Sequence, residues 1–126
     1  MAILGIGIDI VSLTRIEKTI IKFHTMFFKR ILSKNELKNL KNTNNKINYL
    51  ANRFAAKEAT VKALGTGIQK KIQFKNIELY NDQLGKPKIN LSGAALQLIL
   101  KKKIVSIHVS LSHERLFTYA MVIMES

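Results

Sequence analysis

The chain has 126 residues, 47% of them hydrophobic, enough to bury the core of one domain and too apolar for a disordered polymer. It contains no cysteine, which excludes disulfides, thiolate metal sites and a cysteine nucleophile. Twenty-one Lys and Arg against eight Asp and Glu leave a net charge of +13, a field that favours an anionic partner: nucleic acid, an acidic protein, a phosphorylated small molecule or an anionic membrane surface.

Met1 to Val11 alternates with period two. Leu4, Ile6, Ile8 and Ile10 point one way and Gly5, Gly7 and Asp9 the other, which predicts a strand. Asp9 thus shares a face with two glycines, which leave room for something to approach closely. The segment is a poor signal peptide, having no basic start and an aspartate inside it. No apolar run nears the roughly 20 residues that cross a bilayer. Together with the missing cysteines this fits a cytoplasmic protein without a membrane anchor.

Ser12 or Thr14 caps a helix carrying Arg15, Ile16, Glu17, Ile20 and Ile21, and Thr14 with Glu17 matches a capping box. Phe23 to Leu32 mixes aromatic and basic residues and reads as helical. Ser33 and Glu36 form a second capping box, opening a short polar helix, and Asn42 to Asn45 is a loop by composition. From Lys46 a helical period returns through Ile47, Leu50, Ala51, Phe54, Ala55, Val61 and Leu64, and Gly65 supplies a left-handed stop. Ile72–Asn81 and Lys86–Leu91 read as strands joined by a turn at Asp82-Gln83-Leu84-Gly85, and Ser92–Lys103 as a helix facing inward with Ala94, Ala95, Leu98 and Ile99. Val105, Ile107, Val109 and Leu111 alternate with Ser106, His108, Ser110 and Ser112. A turn near His113-Glu114-Arg115 leads on to Phe117–Met124, a β-hairpin with one polar face. The order strand, helices, strands, helix, hairpin predicts an α+β fold in a single domain over 1–126.

Glu58 and Lys62 lie four residues apart, roughly 40° around the helix, one turn from each other. In most sequences such a pair only supports the helix. Asp9 and Glu58, two carboxylates on different elements near glycines, also suit Mg²⁺, which takes few protein carboxylates and completes its octahedron with water and phosphate. The competing reading leaves Asp9 as a helix cap and Glu58 as the ion-pair partner of Lys62. Lys62 can neutralise phosphate or protonate a leaving oxygen. Lys57, about 100° from Glu58, is a rim phosphate contact or a solvated side chain. Gly65-Thr66-Gly67 can present amides to an anion or simply stop the helix. His108, between Ser106 and Ser110, has no hydrolase elbow near it, and the three histidines lack zinc-site spacing. Arg15, Lys18 and Lys22 share a helix face, with Lys29 and Arg30 following and phenylalanines interleaved. That is a dock for an acidic partner or for nucleic acid, or a solvated basic face.

Four segments in register resemble the holo-acyl-carrier-protein synthases, the small bacterial type of 4′-phosphopantetheinyl transferase. They are Gly5-Ile6-Gly7-Ile8-Asp9-Ile10-Val11 with Arg15-Ile16-Glu17; Arg53-Phe54-Ala55-Ala56-Lys57-Glu58-Ala59 through Lys62-Ala63-Leu64-Gly65-Thr66-Gly67; Asp82-x-x-Gly85-Lys86-Pro87; and His108-Val109-Ser110-Leu111-Ser112-His113. The resemblance runs the length of the chain, and departures fall in the Asn- and Lys-rich stretch from Lys34 to Asn48. It implies an antiparallel sheet with packed helices and a homotrimer with its sites between subunits. It implies transfer of 4′-phosphopantetheine from coenzyme A to a serine of apo acyl carrier protein, releasing adenosine 3′,5′-bisphosphate, in fatty acid biosynthesis. Asp9 and Glu58 would hold Mg²⁺, Lys62 would contact the phosphates, and Glu58 or a metal-bound water would take the serine proton. Lys62, Gly65, Thr66, Gly67, Lys86, Pro87, His108 and Ser110 would line the coenzyme A site. The acidic carrier would meet Arg15, Lys18, Lys22 and Lys29. The alternative from another class is a small basic nucleic-acid-binding α+β domain, which the charge favours and the absence of a base-reading motif opposes.

Overall fold

Gly5 and Gly7 decide how closely the longest helix meets the sheet. The computed structural model describes residues 1–66 and 72–126. The elements are β1 (Ile3–Ser12), α1 (Leu13–Phe23), α2 (Thr25–Ile31), α3 (Lys34–Leu40), α4 (Lys46–Leu64), a 3-10 turn at Phe74–Asn76, β2 (Ile77–Asn81), β3 (Pro87–Leu91), α5 (Gly93–Lys101), β4 (Ser106–Glu114) and β5 (Phe117–Glu125). One antiparallel sheet has the order β1-β5-β4, and β2 pairs with β3 in a second. The fold is α+β with helices packed on antiparallel strands, as the element order predicts.

α4 lies across β1 on the glycine side. A Cβ on Gly5 would overlap the carbonyl of Ala63, and one on Gly7 the carbonyl of Ala59. Ala55, Ala59 and Ala63 recur every four residues on α4 and are buried, so helix backbone and strand backbone come together with only small groups between. What the glycines make room for is therefore α4 itself. Val11, Leu50, Ala51, Leu64, Ala120, Val122 and Met124 complete this core. A smaller cluster of Val61, Ile72, Ile77, Leu91 and Ala95 joins α4 to β2, β3 and α5. The other side of the sheet is bare: Ile6, Ile8 and Ile10 are 60%, 58% and 53% exposed.

Several local expectations are corrected. Ser12 alone caps α1, its hydroxyl accepting from the Arg15 amide at 3.3 Å, so Thr14 is already helical and the Thr14–Glu17 box does not form. The stretch Phe23–Leu32 is broken at His24, which adopts φ 49° between α1 and α2. The strand expected from Ile72 starts only at Ile77, after the 3-10 turn. The Ser33–Glu36 capping box forms, and Gly65 ends α4 at φ 78°. In the β2–β3 turn the Asp82 carboxylate accepts from the Leu84 and Lys86 amides, both at 2.9 Å.

Lys57 is neither at a rim nor solvated. It is fully buried, and its ammonium meets Glu36 Oε1 at 2.6 Å, the Phe74 carbonyl at 3.0 Å and the Ile77 carbonyl. Glu36 is equally buried. Its Oε1 also accepts from the Ser33 amide at 2.9 Å, and its Oε2 accepts from the Leu79 amide at 3.0 Å. Burial pushes the Lys57 amine down from its ordinary value and the Glu36 charge opposes that shift. Among the described residues no helix is long and apolar enough to cross a membrane.

The strand–helix contact predicts the outcome of one methyl group. Gly7→Ala must drive α4 off β1 and is expected to cost about 1–3 kcal/mol, the usual penalty of overpacking a core. Urea unfolding followed by circular dichroism reads this directly, and an unchanged midpoint would contradict the packing described.

Candidate active site

The crossing of β1 and α4 brings three predicted residues together. Asp9 follows the glycines on the helix-facing side of β1, and Glu58 and Lys62 sit on successive turns of α4. Lys62, whose side chain is 53% exposed, donates to Asp9 Oδ1 at 3.1 Å and to the Ile8 carbonyl at 2.9 Å; the Asp9 side chain is only 16% exposed. The ion pair that helical spacing predicts between Glu58 and Lys62 does not form within 4 Å, because strand β1 offers Lys62 a nearer carboxylate. Glu58 is half-buried, and its pKa is raised, first by burial and then by the charge of Asp9, while the Lys62 charge works against both. Asp9 is no helix cap: Ser12 caps α1.

At the end of α4 the Gly65 amide donates to the Val61 and Lys62 carbonyls, and Lys102 reaches over to donate to the Leu64 carbonyl at 2.6 Å. Thr66 is half-exposed and follows directly. Gly67, also predicted for the coenzyme site, lies outside the described residues. Lys86, Pro87 and Ser110 line one cleft of about 460 Å³ with Asn52, Arg53 and His113. Arg53 stacks on the Tyr49 ring, 3.7 Å from its centroid, and its buried Nε has no hydrogen-bond partner among the described residues, the nearest carboxylate oxygen of Glu36 standing 4.0 Å away. Sequence reasoning gave Arg53 no role. The available signal was its place four residues before Lys57 on α4, which puts both cations on one helix face.

His108 is not brought to Asp9 within one chain. It pairs with Ile123 across the hairpin, on the sheet face opposite α4, and its Nε2 lies 2.5 Å from Glu125 Oε1. The register places Ser110 on that same face. Arg15, Lys18, Lys22 and Lys29 are all exposed, on α1 and α2. Beside them runs a groove of about 1060 Å³, lined by Phe23, Met26, Phe27 and Phe74 and bordered by Lys29, Arg30 and Lys75.

As a cation site, Asp9 and Glu58 offer only hard oxygen donors. Among the described residues no third His, Cys, Asp or Glu joins them. The pKa of Glu58 is raised first by burial and second by the charge of Asp9, and a bound cation would offset both. That donor set suits Mg²⁺, which keeps several positions for water and phosphate.

Comparison with known proteins supplies the relationship. Residues 5–120 match the family model of the 4′-phosphopantetheinyl transferase superfamily. The chain belongs to that superfamily. It is 46% identical to the holo-[acyl-carrier-protein] synthase of Escherichia fergusonii over 126 residues, all of both chains. The crystal structure of holo-[acyl-carrier-protein] synthase from Neisseria meningitidis superposes with a TM-score of 0.94 at 42% identity, covering 99% of this chain and all of that one. The Helicobacter pylori holo-[acyl-carrier-protein] synthase, solved in complex with coenzyme A, gives 0.83 at 38% identity over 95% of this chain and 99% of its own. Superfamily membership leaves the nucleic-acid reading without support.

The environment of Glu58 sets a pH dependence. Its folded-state pKa lies above the ordinary 4.5. The folded chain therefore holds a proton that the unfolded chain has lost, and stability falls as pH rises from 4.5 through the raised value. Glu58→Gln removes this contribution. In EDTA, the stability of Glu58→Gln relative to the parent is expected to grow over that interval and level off above it. Denaturant titrations at a series of pH values check this, and a flat difference would refute the assignment.

Proposed function

We propose that the chain is a holo-[acyl-carrier-protein] synthase, which transfers 4′-phosphopantetheine from coenzyme A to a serine of apo acyl carrier protein and releases adenosine 3′,5′-bisphosphate. The observation that carries this reading is the meeting of Asp9, Glu58 and Lys62 at the β1–α4 crossing, in a chain whose relatives share its full length. The whole span 1–126 acts as one domain, in the cytoplasm, supplying carriers for fatty acid biosynthesis.

Asp9 and Glu58 would hold Mg²⁺, which when bound neutralises the coenzyme A pyrophosphate and the charge that develops on it. Lys62 orients the same phosphates and stabilises the leaving bisphosphate as its bond to phosphorus breaks. The carrier serine oxygen forms the new bond to that phosphorus and gives up its proton to Glu58 or to a water. Arg53, Lys86 and Pro87 in the cleft between α4, the β2–β3 turn and β4 would bind the nucleotide end, with Arg53 and Lys86 available to its anionic groups, and Gly65, Thr66 and Gly67 would also contact the coenzyme. The carrier, being acidic, docks on Arg15, Lys18, Lys22 and Lys29, and the apolar floor of the adjoining groove receives its hydrophobic side. Such steering raises the association rate and weakens with salt.

The bare face of the sheet supports a homotrimer. Ile6, Ile8 and Ile10 of β1 adjoin Ile123, Met121 and Tyr119 of β5 on one face, and a contiguous exposed apolar face of this kind marks a contact with another protein surface. His108 and Ser110 edge that face, so a subunit packed there would bring them to a site shared between chains.

Two outcomes test these assignments. Incubated with Mg²⁺, coenzyme A and apo carrier protein, the enzyme is expected to add the phosphopantetheine mass to the carrier serine. Asp9→Ala and Glu58→Ala should each lose at least about a hundredfold in rate, since they remove a ligand of the phosphate-neutralising ion. Full activity in either variant, measured by intact mass, would remove its metal role. For the assembly, light scattering should give three chains for the parent and one for Ile6→Lys. A monomeric parent would overturn the trimer.

A further inference from the structure

Asp9 is already paired with one cation. Its Oδ1 already accepts from Lys62 at 3.1 Å, and the same ammonium is anchored to the Ile8 carbonyl at 2.9 Å. The charge of Lys62 also reaches Glu58, where it offsets part of the repulsion from Asp9. One ammonium thus compensates the two carboxylates assigned above to Mg²⁺. A divalent ion drawn to them must approach a positive charge held against one of them. Lys62 is more than half exposed on an unbranched four-carbon stem, so its ammonium can leave Asp9 for another anion at little steric cost.

We propose that Lys62 couples metal binding to coenzyme binding. With no phosphate nearby, its ammonium competes with a divalent ion for Asp9. When the coenzyme A pyrophosphate arrives, it offers the ammonium a new anionic partner and frees the carboxylate for the ion. The metal and the coenzyme then bind cooperatively, each tightening the other by the same factor, as linkage requires. The inference rests on the Asp9–Glu58 metal site proposed above and adds to it a role for Lys62 that precedes the chemistry.

The test is binding, not turnover. Mn²⁺, an oxygen-preferring ion visible by electron paramagnetic resonance, is titrated into the full chain with and without coenzyme A, and into coenzyme A alone as a control. The variants are Lys62→Met, which removes the charge, Lys62→Arg, which keeps it, and Asp9→Asn, with thermal melts to check folding. Without coenzyme A, Lys62→Met is expected to bind Mn²⁺ about twofold to fivefold tighter than the parent, the scale of losing one partly exposed opposing charge. Coenzyme A should then tighten Mn²⁺ binding less in Lys62→Met than in the parent, while Lys62→Arg follows the parent. Equal or weaker Mn²⁺ binding by Lys62→Met, or an unchanged effect of coenzyme A, would overturn the coupling and leave the metal site standing. If the parent with coenzyme A binds no more Mn²⁺ than Asp9→Asn does, the metal site itself is refuted, and the coupling with it.

Discussion

The close approach of α4 to β1 governs the rest of the molecule. Helix and strand touch backbone to backbone at Gly5 and Gly7, against Ala63 and Ala59. At that separation, side chains one step further along both elements share a small volume: Asp9 beyond the glycines, Glu58 and Lys62 beside the alanines. A wider gap would leave the two carboxylates independent and Lys62 paired along its own helix. The same contact explains the bare face of the sheet. Where the inner side of the strand is glycine, the large side chains lie on the outer side, so Ile6, Ile8 and Ile10 need another surface to cover them. The proposed active site and the proposed subunit contact are two sides of one strand.

The buried pair of Lys57 and Glu36 holds α4 from its other flank. All three donors of the ammonium are used, and both carboxylate oxygens accept, so the desolvation of the pair is met by hydrogen bonds on every side. Its reach is long: α3 through Glu36, β2 through Leu79 and the Ile77 carbonyl, and the 3-10 turn through the Phe74 carbonyl. Lys57 and Glu58 are adjacent in sequence yet do opposite work. One locks the helix into the interior, and the other is turned toward Asp9 and Lys62 at the crossing with β1.

Much of this could be read from residue order, where the controlling interactions are local. Period-two alternation located β1 and the hairpin, Ser33 and Glu36 marked a helix start, and Gly65 marked a helix end. What went unread depends on partners distant in sequence. Lys57 looks like a surface lysine on any helical wheel; only Glu36, 21 residues earlier and itself disguised as a capping residue, gives it a reason to be buried. Lys62 was matched with Glu58 by spacing, but folding supplied Asp9, 53 residues away. The separation of His108 from Asp9 required the strand register as well as the alternation, and pattern alone does not say which polar face of which strand lies toward α4.

The burial of Lys57 also makes it an internal reporter. In a chain so rich in exposed lysine, amine-reactive reagents meet many targets at once, but Lys57 is out of their reach while α3, α4 and β2 stay together. Its acylation requires those three elements to part, so the rate at which this one amine becomes labelled measures the opening of the interior, independently of the fraying of helix ends or the motion of surface loops.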